Sequence, residues 1–84
     1  MFYVYILKSK KDNKLYIGST NNLKRRIVEH LSGKVISTKN RIPLELIYYE
    51  AYKIESDARN RESSFKNSGS VYNGLIKRIQ ESLK

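Results

Sequence analysis

The stretch FYVYILKSKKDNKLYIGST, residues 2–20, decides the fold because it contains two strand-forming runs separated by a turn. The run from Phe2 to Lys8 is β-branched and aromatic on both faces, which is typical of a central strand that is buried on both sides. An Asp-Asn pair within residues 10–14 tolerates the left-handed conformations that a tight reversal needs. We therefore expect the run from Leu15 to Ser19 to return as an antiparallel strand and complete a hairpin.

A helix is predicted directly after this hairpin, and either Asn21 or Asn22 can cap its start. The helix should continue to about Ser32, because Gly33 offers a left-handed stop. Its apolar stripe has helical spacing and consists of Leu23, Ile27 and Leu31. Residues 33–43 contain polar turn residues and three cations, so we expect them to form a loop.

The second half of the chain predicts one further strand and two further helices. LELIYYEAY, from Leu44 to about Tyr52, is the third strand. Ser56 can cap a helix that continues to about Asn67. After the break NSGS, a terminal helix has four apolar residues on one face: Val71, Leu75, Ile79 and Leu83. The element order β-β-α-β-α-α predicts an α+β fold in which a small three-stranded antiparallel sheet is flanked by helices.

The length of the chain, 84 residues, leaves room for a single domain covering residues 1–84. The chain has no cysteine, which excludes disulfides, thiolate zinc sites and a cysteine nucleophile, so the cytoplasm is the expected location. No stretch approaches the ~20 apolar residues of a membrane span. We therefore expect a soluble protein without a membrane partner.

The charge of the chain points to a polyanionic partner. Seventeen Lys and Arg residues against eight Asp and Glu residues give a formal net charge of +9. Basic surfaces bind polyanions by releasing counterions, and we expect nucleic acid to be the partner. The alternative is a lysine-rich surface that only keeps the protein soluble.

Two tyrosines in the hairpin are candidates for chemistry. Alternation along the first strand puts Tyr3, Tyr5 and Leu7 on one face. Pairing in the hairpin can place Tyr5 and Tyr16 on the same face, although the register is open. Either phenol can equally be an ordinary buried side chain with a hydrogen-bond partner. Gly18, a structural candidate beside Tyr16, leaves room for a phosphate or a backbone segment to approach closely.

The first helix adds an arginine and the only histidine of the chain to these candidates. At about 100° per residue, Arg26 lies at the border of the apolar stripe, whereas Arg25 points away and should be solvated. His30 lies one turn after Arg26 on the same flank. A guanidinium at this border either meets an anion or lays its stem along apolar surface with its head in water.

Glu62 is the least expected residue of the second helix. It occupies the middle of an i, i+4, i+7 stripe that should face the sheet: Ala58, Glu62 and Phe65. Carboxylates are rarely buried unless they are paired with a cation or a metal. The ordinary explanation is a salt bridge to Arg59 or Lys66. The functional explanation is a divalent-ion site on the same sheet face as Arg26.

Three residues in the loop before the third strand are candidates for nucleic-acid contact. Lys39, Asn40 and Arg41 offer two cations and an amide, which can hold a phosphate backbone. The same three residues can equally belong to a solvated polar loop without a partner.

The candidate residues occur in the order of a known signature. YVY at residues 3–5 is followed about ten residues later by YIG at residues 16–18, which resembles the GIY-YIG nuclease signature. Further residues of the family pattern follow in order: Arg26, His30 and, in the helix after the third strand, Arg61 and Glu62. The element order β-β-α-β-α-α also resembles the domain of that family.

The resemblance covers nearly the whole chain. STKNRIPLELIYYE, residues 37–50, is especially similar to small stand-alone members related to the nuclease domain of the bacterial excinuclease. The first motif departs from the family, because Tyr3 and Val4 stand where the family has Gly and Ile. Some family nucleases have an asparagine in the last helix. Asn73 is the candidate for it, but it projects away from the apolar face, so we leave it out of the site.

The resemblance implies hydrolysis of DNA phosphodiester bonds with one divalent ion, Mg²⁺ or Mn²⁺. It implies that Tyr5 helps to deprotonate a water, Arg26 holds the scissile phosphate, and Glu62 binds the metal. An unperturbed phenol has a pKa near ~10 and is a poor base at neutral pH, so His30 would be either a proton relay or the base. Tyr16 would bind a phosphate or a water.

Three functions follow from these observations. The first is an endonuclease that is weakly sequence-specific or selective for substrate structure, because 84 residues leave no room for a separate recognition domain. The second is a nucleic-acid-binding module of the same fold with little or no catalytic activity, which the altered first motif favours. The third is an interaction protein whose tyrosine-rich surface binds another protein.

Overall fold

The computed structural model describes all 84 residues and contains three strands and three helices in the predicted order. The elements are β1 (Phe2–Ser9), β2 (Leu15–Thr20), α1 (Leu23–Leu31), β3 (Leu44–Tyr52), α2 (Glu55–Asn67) and α3 (Gly69–Arg78). Two short 3-10 turns occur at Lys39–Arg41 and Glu81–Leu83. The predicted α+β architecture is confirmed. None of the helices combines the length and the apolar composition that a membrane crossing requires.

β1 is the central strand of the sheet, as its two-sided apolar pattern predicted, and the strand order is β2-β1-β3. Both pairings are antiparallel. In the hairpin, Tyr5 is opposite Gly18 and Leu7 is opposite Tyr16, so the two tyrosines lie on the same face. β2 is an edge strand, so groups from both faces of the sheet can meet beside it.

Helices cover both faces of the sheet and form two separate cores. On one face, Val4 and Ile6 pack against four buried residues of α2, α3 and the segment after α3: Ala58, Phe65, Leu75 and Ile79. On the other face, Tyr5 and Leu7 meet apolar residues of β3 and α1: Leu44, Leu23 and Ile27. β1 therefore separates an apolar face under α2 and α3 from a face under α1 that contains the phenol of Tyr5.

α1 begins where the sequence predicted but turns an unexpected residue to the sheet. The side chain of Asn22 caps it by accepting a hydrogen bond from the backbone N–H of Arg25 (3.0 Å), and Gly33 has a φ of 76° just after its end. The prediction for Leu31 is wrong, because Leu31 is 50% exposed and His30 is fully buried instead. Leu31 is the last residue of the helix, where the chain leaves the sheet, and hydrogen bonds of His30 hold the imidazole inward.

The ends of α2 and α3 also differ from the sequence prediction. The cap prediction for Ser56 is wrong, because α2 begins at Glu55, two residues earlier than a cap at Ser56 implies, and no side chain caps it. Glu55 and Asp57 in the first turn complement the helix dipole instead. Ser68 caps α3, which ends before Leu83. Leu83 still packs against the core beneath α3, because the following 3-10 turn carries it back to the sheet.

Candidate active site

Tyr5 is the centre of the candidate site, and Gly18 gives its ring room. A Cβ atom at position 18 would lie 2.5 Å from the Tyr5 hydroxyl oxygen and 2.6 Å from the ring carbon that carries it. Only glycine therefore allows the ring to cross β2. The sequence suggested that this space admits a phosphate or a backbone segment, and in the structure the phenol of Tyr5 occupies it. The residue is 1% exposed.

The hydroxyl of Tyr5 begins a buried chain of three hydrogen-bonding side chains. It lies 2.8 Å from Nε2 of His30, and Nδ1 of His30 lies 2.8 Å from Oγ1 of Thr38. His30 and Thr38 are both fully buried. The two bonds connect β1, α1 and the loop before β3, so the tertiary fold assembles this chain from three separate segments.

Thr38 is a residue of this chain that sequence reasoning missed. It lies in the polar segment that we expected to be a loop, where the charges of Lys39 and Arg41 marked the candidates for nucleic-acid contact. The local pattern does not distinguish one hydroxyl from the other polar residues of a loop. Only its contact with His30 reveals it.

Tyr16 lies beside the imidazole of His30 on the same face of the sheet. The ring centroids of Tyr16 and His30 are 5.2 Å apart, and those of Tyr16 and Tyr5 are 6.3 Å apart. The rings are tilted relative to one another, which is a favourable arrangement for aromatic contacts. Tyr16 is partly exposed, so among these three rings it is the one that faces solvent.

Arg26 places a positive charge beside the Tyr5 hydroxyl. Its Nη1 donates a hydrogen bond to Oε1 of Glu29 (3.1 Å), which holds the partly exposed guanidinium in place. Arg26 also lines a cavity of about 270 Å³ at the edge of β2, together with Arg25 and Arg59 from the starts of α1 and α2. Arg25 is solvated, as expected, yet it adds charge to this cavity. Glu55 also lines the cavity and pairs with Arg59, but the three guanidinium groups outnumber this carboxylate, so the cavity is suitable for an anion.

Glu62 reaches the same edge of the sheet from the opposite face. The expectation that its carboxylate shares a sheet face with Arg26 is wrong, because α2 and α1 pack on different faces. Its Oε1 accepts a hydrogen bond from Oγ of Ser19 in β2 (2.7 Å), and its Oε2 accepts one from Nζ of Lys66 (2.8 Å). Of the two predicted salt-bridge partners, Lys66 makes the contact, whereas Arg59 pairs with a different carboxylate.

The carboxylate of Glu62 suits a divalent cation. Burial opposes its ionisation, but hydrogen bonds from Lys66 and Ser19 outweigh burial and hold the pKa of Glu62 below its usual range. The carboxylate is therefore charged at neutral pH and partly exposed. Mg²⁺ commonly binds through one or two carboxylates and completes its coordination with water and substrate phosphates. A single carboxylate fits that mode, and the chain has no cluster of three or more His, Asp or Glu residues that could form a larger site.

Burial sets the protonation of the central pair. It raises the pKa of Tyr5 to about 12, although the adjacent guanidinium of Arg26 favours the phenolate. Burial also lowers the pKa of His30, and the charge of Arg26 lowers it further. At neutral pH the site therefore contains a protonated phenol next to an uncharged imidazole, which can accept a proton.

The cations of the loop before β3 lie away from the group of side chains around Tyr5. Lys39 and Asn40 are exposed on a 3-10 turn, and Nε of Arg41 lies 3.5 Å from Oδ2 of Asp12 in the β1–β2 turn. The 3-10 turn packs against the end of β1, whereas Arg26 lines a cavity near the start of β1. Any contact of residues 39–41 with a ligand would therefore lie at a distance from Arg26.

Asn73 also lies away from the candidate site. It is exposed on α3 and lines a groove with residues of the β1–β2 turn. α3 contributes apolar residues to the core and no residue to the group around Tyr5. Asn73 therefore lies outside the group of side chains around Tyr5.

The sequence and fold are similar to those of known proteins. The family model of the GIY-YIG catalytic domain matches residues 1–73. A UPF0213 protein of Staphylococcus haemolyticus is 46% identical over 65 residues, which cover 76% of this chain and 78% of that protein. A UPF0213 protein of Clostridium perfringens is 45% identical over 67 residues, which cover 79% of this chain and 71% of that protein. The solution NMR structure of a UPF0213 protein from Bacillus halodurans is 35% identical and has a TM-score of 0.58, covering 92% of this chain and 84% of that one.

The family match includes every predicted site residue, from Tyr5 to Glu62. The GIY-YIG domain is a nuclease domain, which supports a nuclease-type function and a nucleic-acid partner. Nucleases of this kind generally depend on a divalent metal. The chain belongs to the GIY-YIG family, and its relatives there are the UPF0213 proteins.

Proposed function

We propose that this protein is an endonuclease that hydrolyses DNA phosphodiester bonds with a divalent cation, Mg²⁺ or Mn²⁺. We expect weak sequence specificity or selectivity for DNA structure. The observation that carries the proposal is the buried hydroxyl of Tyr5, which lies 2.8 Å from Nε2 of the uncharged imidazole of His30 and near the positive charge of Arg26. The net charge of +9 and the GIY-YIG family membership support a nucleic-acid substrate.

Arg26 is the residue that we assign to the scissile phosphate. A phosphodiester gains negative charge in the transition state, and a preorganised guanidinium stabilises that charge. Glu29 provides the preorganisation, because it holds the Arg26 side chain through a hydrogen bond. Arg25 and Arg59 line the same cavity and would bind neighbouring phosphates. Tyr16, the partly exposed ring of the group, would bind a phosphate oxygen or a water.

Tyr5 and His30 would carry the proton of the attacking water. A free phenolate is energetically unfavourable in this site, because burial raises the pKa of Tyr5 to about 12. The free phenolate is avoided if two proton transfers occur together. The phenol proton passes to Nε2 of His30 while the water proton moves to the phenol oxygen. The uncharged state of His30 suits it for this task.

Glu62 is the residue that would hold the cation, since its carboxylate is charged and partly exposed. Ser19 and Lys66 orient its two oxygens. When bound, Mg²⁺ or Mn²⁺ supplies Lewis-acid stabilisation of the phosphoryl and leaving oxygens.

A cytoplasmic role in DNA repair is the biological context that we propose. A chain without cysteine suits a reducing compartment, and the resemblance to the nuclease domain of the bacterial excinuclease points to repair. Lys39 and Asn40 are exposed and would extend the phosphate contacts along the DNA. Arg41 contributes less in this proposal, because Asp12 already holds it.

A second candidate function is a nucleic-acid-binding module with little or no catalytic activity. It is favoured by the pKa of Tyr5 of about 12, and by Tyr3 and Val4 in the first motif. Binding that falls steeply with salt, without cleavage in either Mg²⁺ or Mn²⁺, would select this function over the nuclease.

The test of the proposal is cleavage of plasmid and oligonucleotide DNA in Mg²⁺, in Mn²⁺ and with a chelator. We expect metal-dependent nicking that falls by about 10²–10³-fold in Arg26→Ala, the usual effect of removing one charge-stabilising donor, and that is also lost in Glu62→Ala. Circular dichroism should show that both variants remain folded. Arg78→Ala and Glu81→Ala, on the exposed surface of the C-terminal segment, are matched controls. Full activity in both site variants would contradict the proposal.

A further inference from the structure

The loop between α1 and β3 buries a threonine and exposes an isoleucine. Thr38 is fully buried, whereas Ile36, two residues before it, is 83% exposed. Burial of isoleucine is favourable, and burial of a hydroxyl is unfavourable unless it makes a hydrogen bond. The loop thus buries the Thr38 hydroxyl together with Val35, while it leaves Ile36 in solvent.

Backbone hydrogen bonds hold the turn from which the Thr38 hydroxyl contacts His30. Its contact is Nδ1 of His30, at 2.8 Å. The backbone N–H of Thr38 donates to the carbonyl of Val35 (3.1 Å), and its carbonyl accepts from the N–H of Arg41 (2.9 Å). The turn therefore fixes the position of Oγ1 relative to the imidazole.

We infer that Thr38 is a positioning residue that holds His30 as the tautomer protonated on Nδ1, which leaves Nε2 to accept the Tyr5 proton. The tautomer follows from the two contacts of the imidazole together with the chemistry of the two hydroxyls that make them. Only its catalytic consequence rests on the proposed function.

The direction of the hydrogen-bond chain follows from the chemistry of its ends. A phenol is a stronger acid than an aliphatic alcohol, and an alcohol oxygen accepts hydrogen bonds better than a phenol oxygen does. Arg26, beside the phenol, can only donate, so it offers no acceptor for the Tyr5 proton. Nε2 of His30 is the acceptor in reach of this buried hydroxyl. Nδ1 must then carry the imidazole proton and donate it to Thr38.

This arrangement gives the proton a defined path during hydrolysis. The oxygen of the attacking water forms a bond to phosphorus as the bond from phosphorus to the leaving sugar oxygen breaks. The water proton moves to the oxygen of Tyr5 while the Tyr5 proton moves to Nε2 of His30. The resulting imidazolium donates from Nδ1 to Thr38. The leaving oxygen takes a proton from solvent, and His30 afterwards returns its proton to solvent through Tyr5.

The tautomer can be measured in the unmodified protein. His30 is the only histidine of the chain, so a long-range ¹H–¹⁵N spectrum of the imidazole reports this residue alone. We expect a protonated Nδ1 and an unprotonated Nε2 at neutral pH, where His30 is uncharged. A protonated Nε2 would overturn the inference. The measurement needs no activity, so its failure and the failure of the proposed nuclease function are distinguishable.

Two variants of Thr38 test its role directly. Thr38→Val keeps the shape and removes the hydroxyl, so we expect loss of the Nδ1-protonated tautomer and a fall in kcat of about 10–100-fold with KM unchanged. Thr38→Ser should retain both properties, and Ser37→Ala, at an exposed neighbouring position, is the matched control. If Thr38→Val keeps the tautomer, the inference is overturned, whether or not the protein cleaves DNA. If Thr38→Val does not fold, the spectrum of the unmodified protein decides.

Discussion

Gly18 is the residue whose role the structure changed most. A methyl group there would meet the end of a ring that cannot move aside, because Tyr5 is buried and bonded to His30. Overpacking of this kind costs about 1–3 kcal/mol. We expect Gly18→Ala to lower the free energy of unfolding by that amount in urea titrations, and to reduce DNA cleavage by displacing the Tyr5 hydroxyl.

Gly74→Ala is the matched control for this substitution. A Cβ atom at position 74 meets no atom within 4 Å, and the residue lies inside α3. Alanine is favoured over glycine in a helix by about 0.5–1 kcal/mol, so this variant should be neutral or slightly more stable. If Gly18→Ala unfolds at the same urea concentration as the unmodified protein, the ring of Tyr5 is not confined by β2.

His30 makes the folded protein less stable as the pH falls. Burial lowers its pKa below the ordinary value of 6.5, the charge of Arg26 lowers it further, and Glu29 acts against them. The phenols of Tyr5 and Tyr16 face the same imidazole from the strands. As the pH falls below 6.5, the unfolded chain takes up a proton that the folded protein does not, so folding becomes less favourable. The contribution of the uncharged His30 to stability is complete above pH 6.5 and is lost as the pH falls through the pKa of His30 in the folded protein.

We therefore expect the free energy of unfolding to fall by up to about 1.4 kcal/mol per pH unit below the ordinary histidine pKa. The chain has one histidine and no cysteine, so other side chains contribute little in this range. Urea titrations between about pH 7.5 and pH 5 should show this slope, and His30→Gln should not. Constant stability of the unmodified protein across the range would contradict an uncharged, buried His30.

At the level of elements, an ion pair joins β3 to α2 next to the candidate site. Nε and Nη2 of Arg61 donate to the two carboxylate oxygens of Glu50, at 2.9 and 3.2 Å. The hydroxyls of Tyr48 and Tyr52 also donate to this carboxylate. Arg61 directly precedes Glu62 in α2, so the pair fixes the turn of the helix that presents the metal-binding candidate.

Arg61→Met should lower the free energy of unfolding by about 3 kcal/mol, because Glu50 would remain largely buried without its cation. Arg61→Lys should have an intermediate effect, since it keeps the charge but loses the two-pronged contact and the stacking over the Phe65 ring. Arg59→Met is the matched control, because its ion pair is 71% exposed on the arginine side and should contribute less than about 1 kcal/mol. Equal stability of the two methionine variants in urea would contradict this description.

At the level of the whole molecule, the net charge of +9 predicts salt-dependent DNA binding. The logarithm of affinity should fall linearly with the logarithm of salt concentration, with a slope of about 0.9 for each phosphate neutralised on duplex DNA. Arg25→Ala should reduce this slope by about 1, and Lys77→Ala, exposed on α3 away from the arginine-lined cavity, should not. Fluorescence anisotropy at several salt concentrations measures both slopes.

Equal slopes for the two variants would remove the arginine-lined cavity from the DNA-binding surface. No detectable DNA binding even at low salt would instead favour the function of a protein-interaction module.

The sequence by itself determined the order of the elements, the central position of β1, the basic charge and the family pattern. These properties depend on local periodicity, turn residues and composition, which a single chain displays directly. Local reasoning was wrong for Leu31 and for the cap at Ser56, because packing and the helix dipole decided those positions.

Only the tertiary structure decided how the site is assembled. Tyr5 and His30 are 25 positions apart, and Ser19 and Glu62 are 43 positions apart, so no periodic pattern connects them. The register of the hairpin laid the ring of Tyr5 over Gly18, and packing of α1 and α2 on opposite faces brought Arg26 and Glu62 to the same edge from two sides. Thr38 entered the site for the same reason. The Thr38 hydroxyl is buried because it has a hydrogen-bond partner, the imidazole of His30. The residues next to Thr38 in the sequence do not reveal that partner.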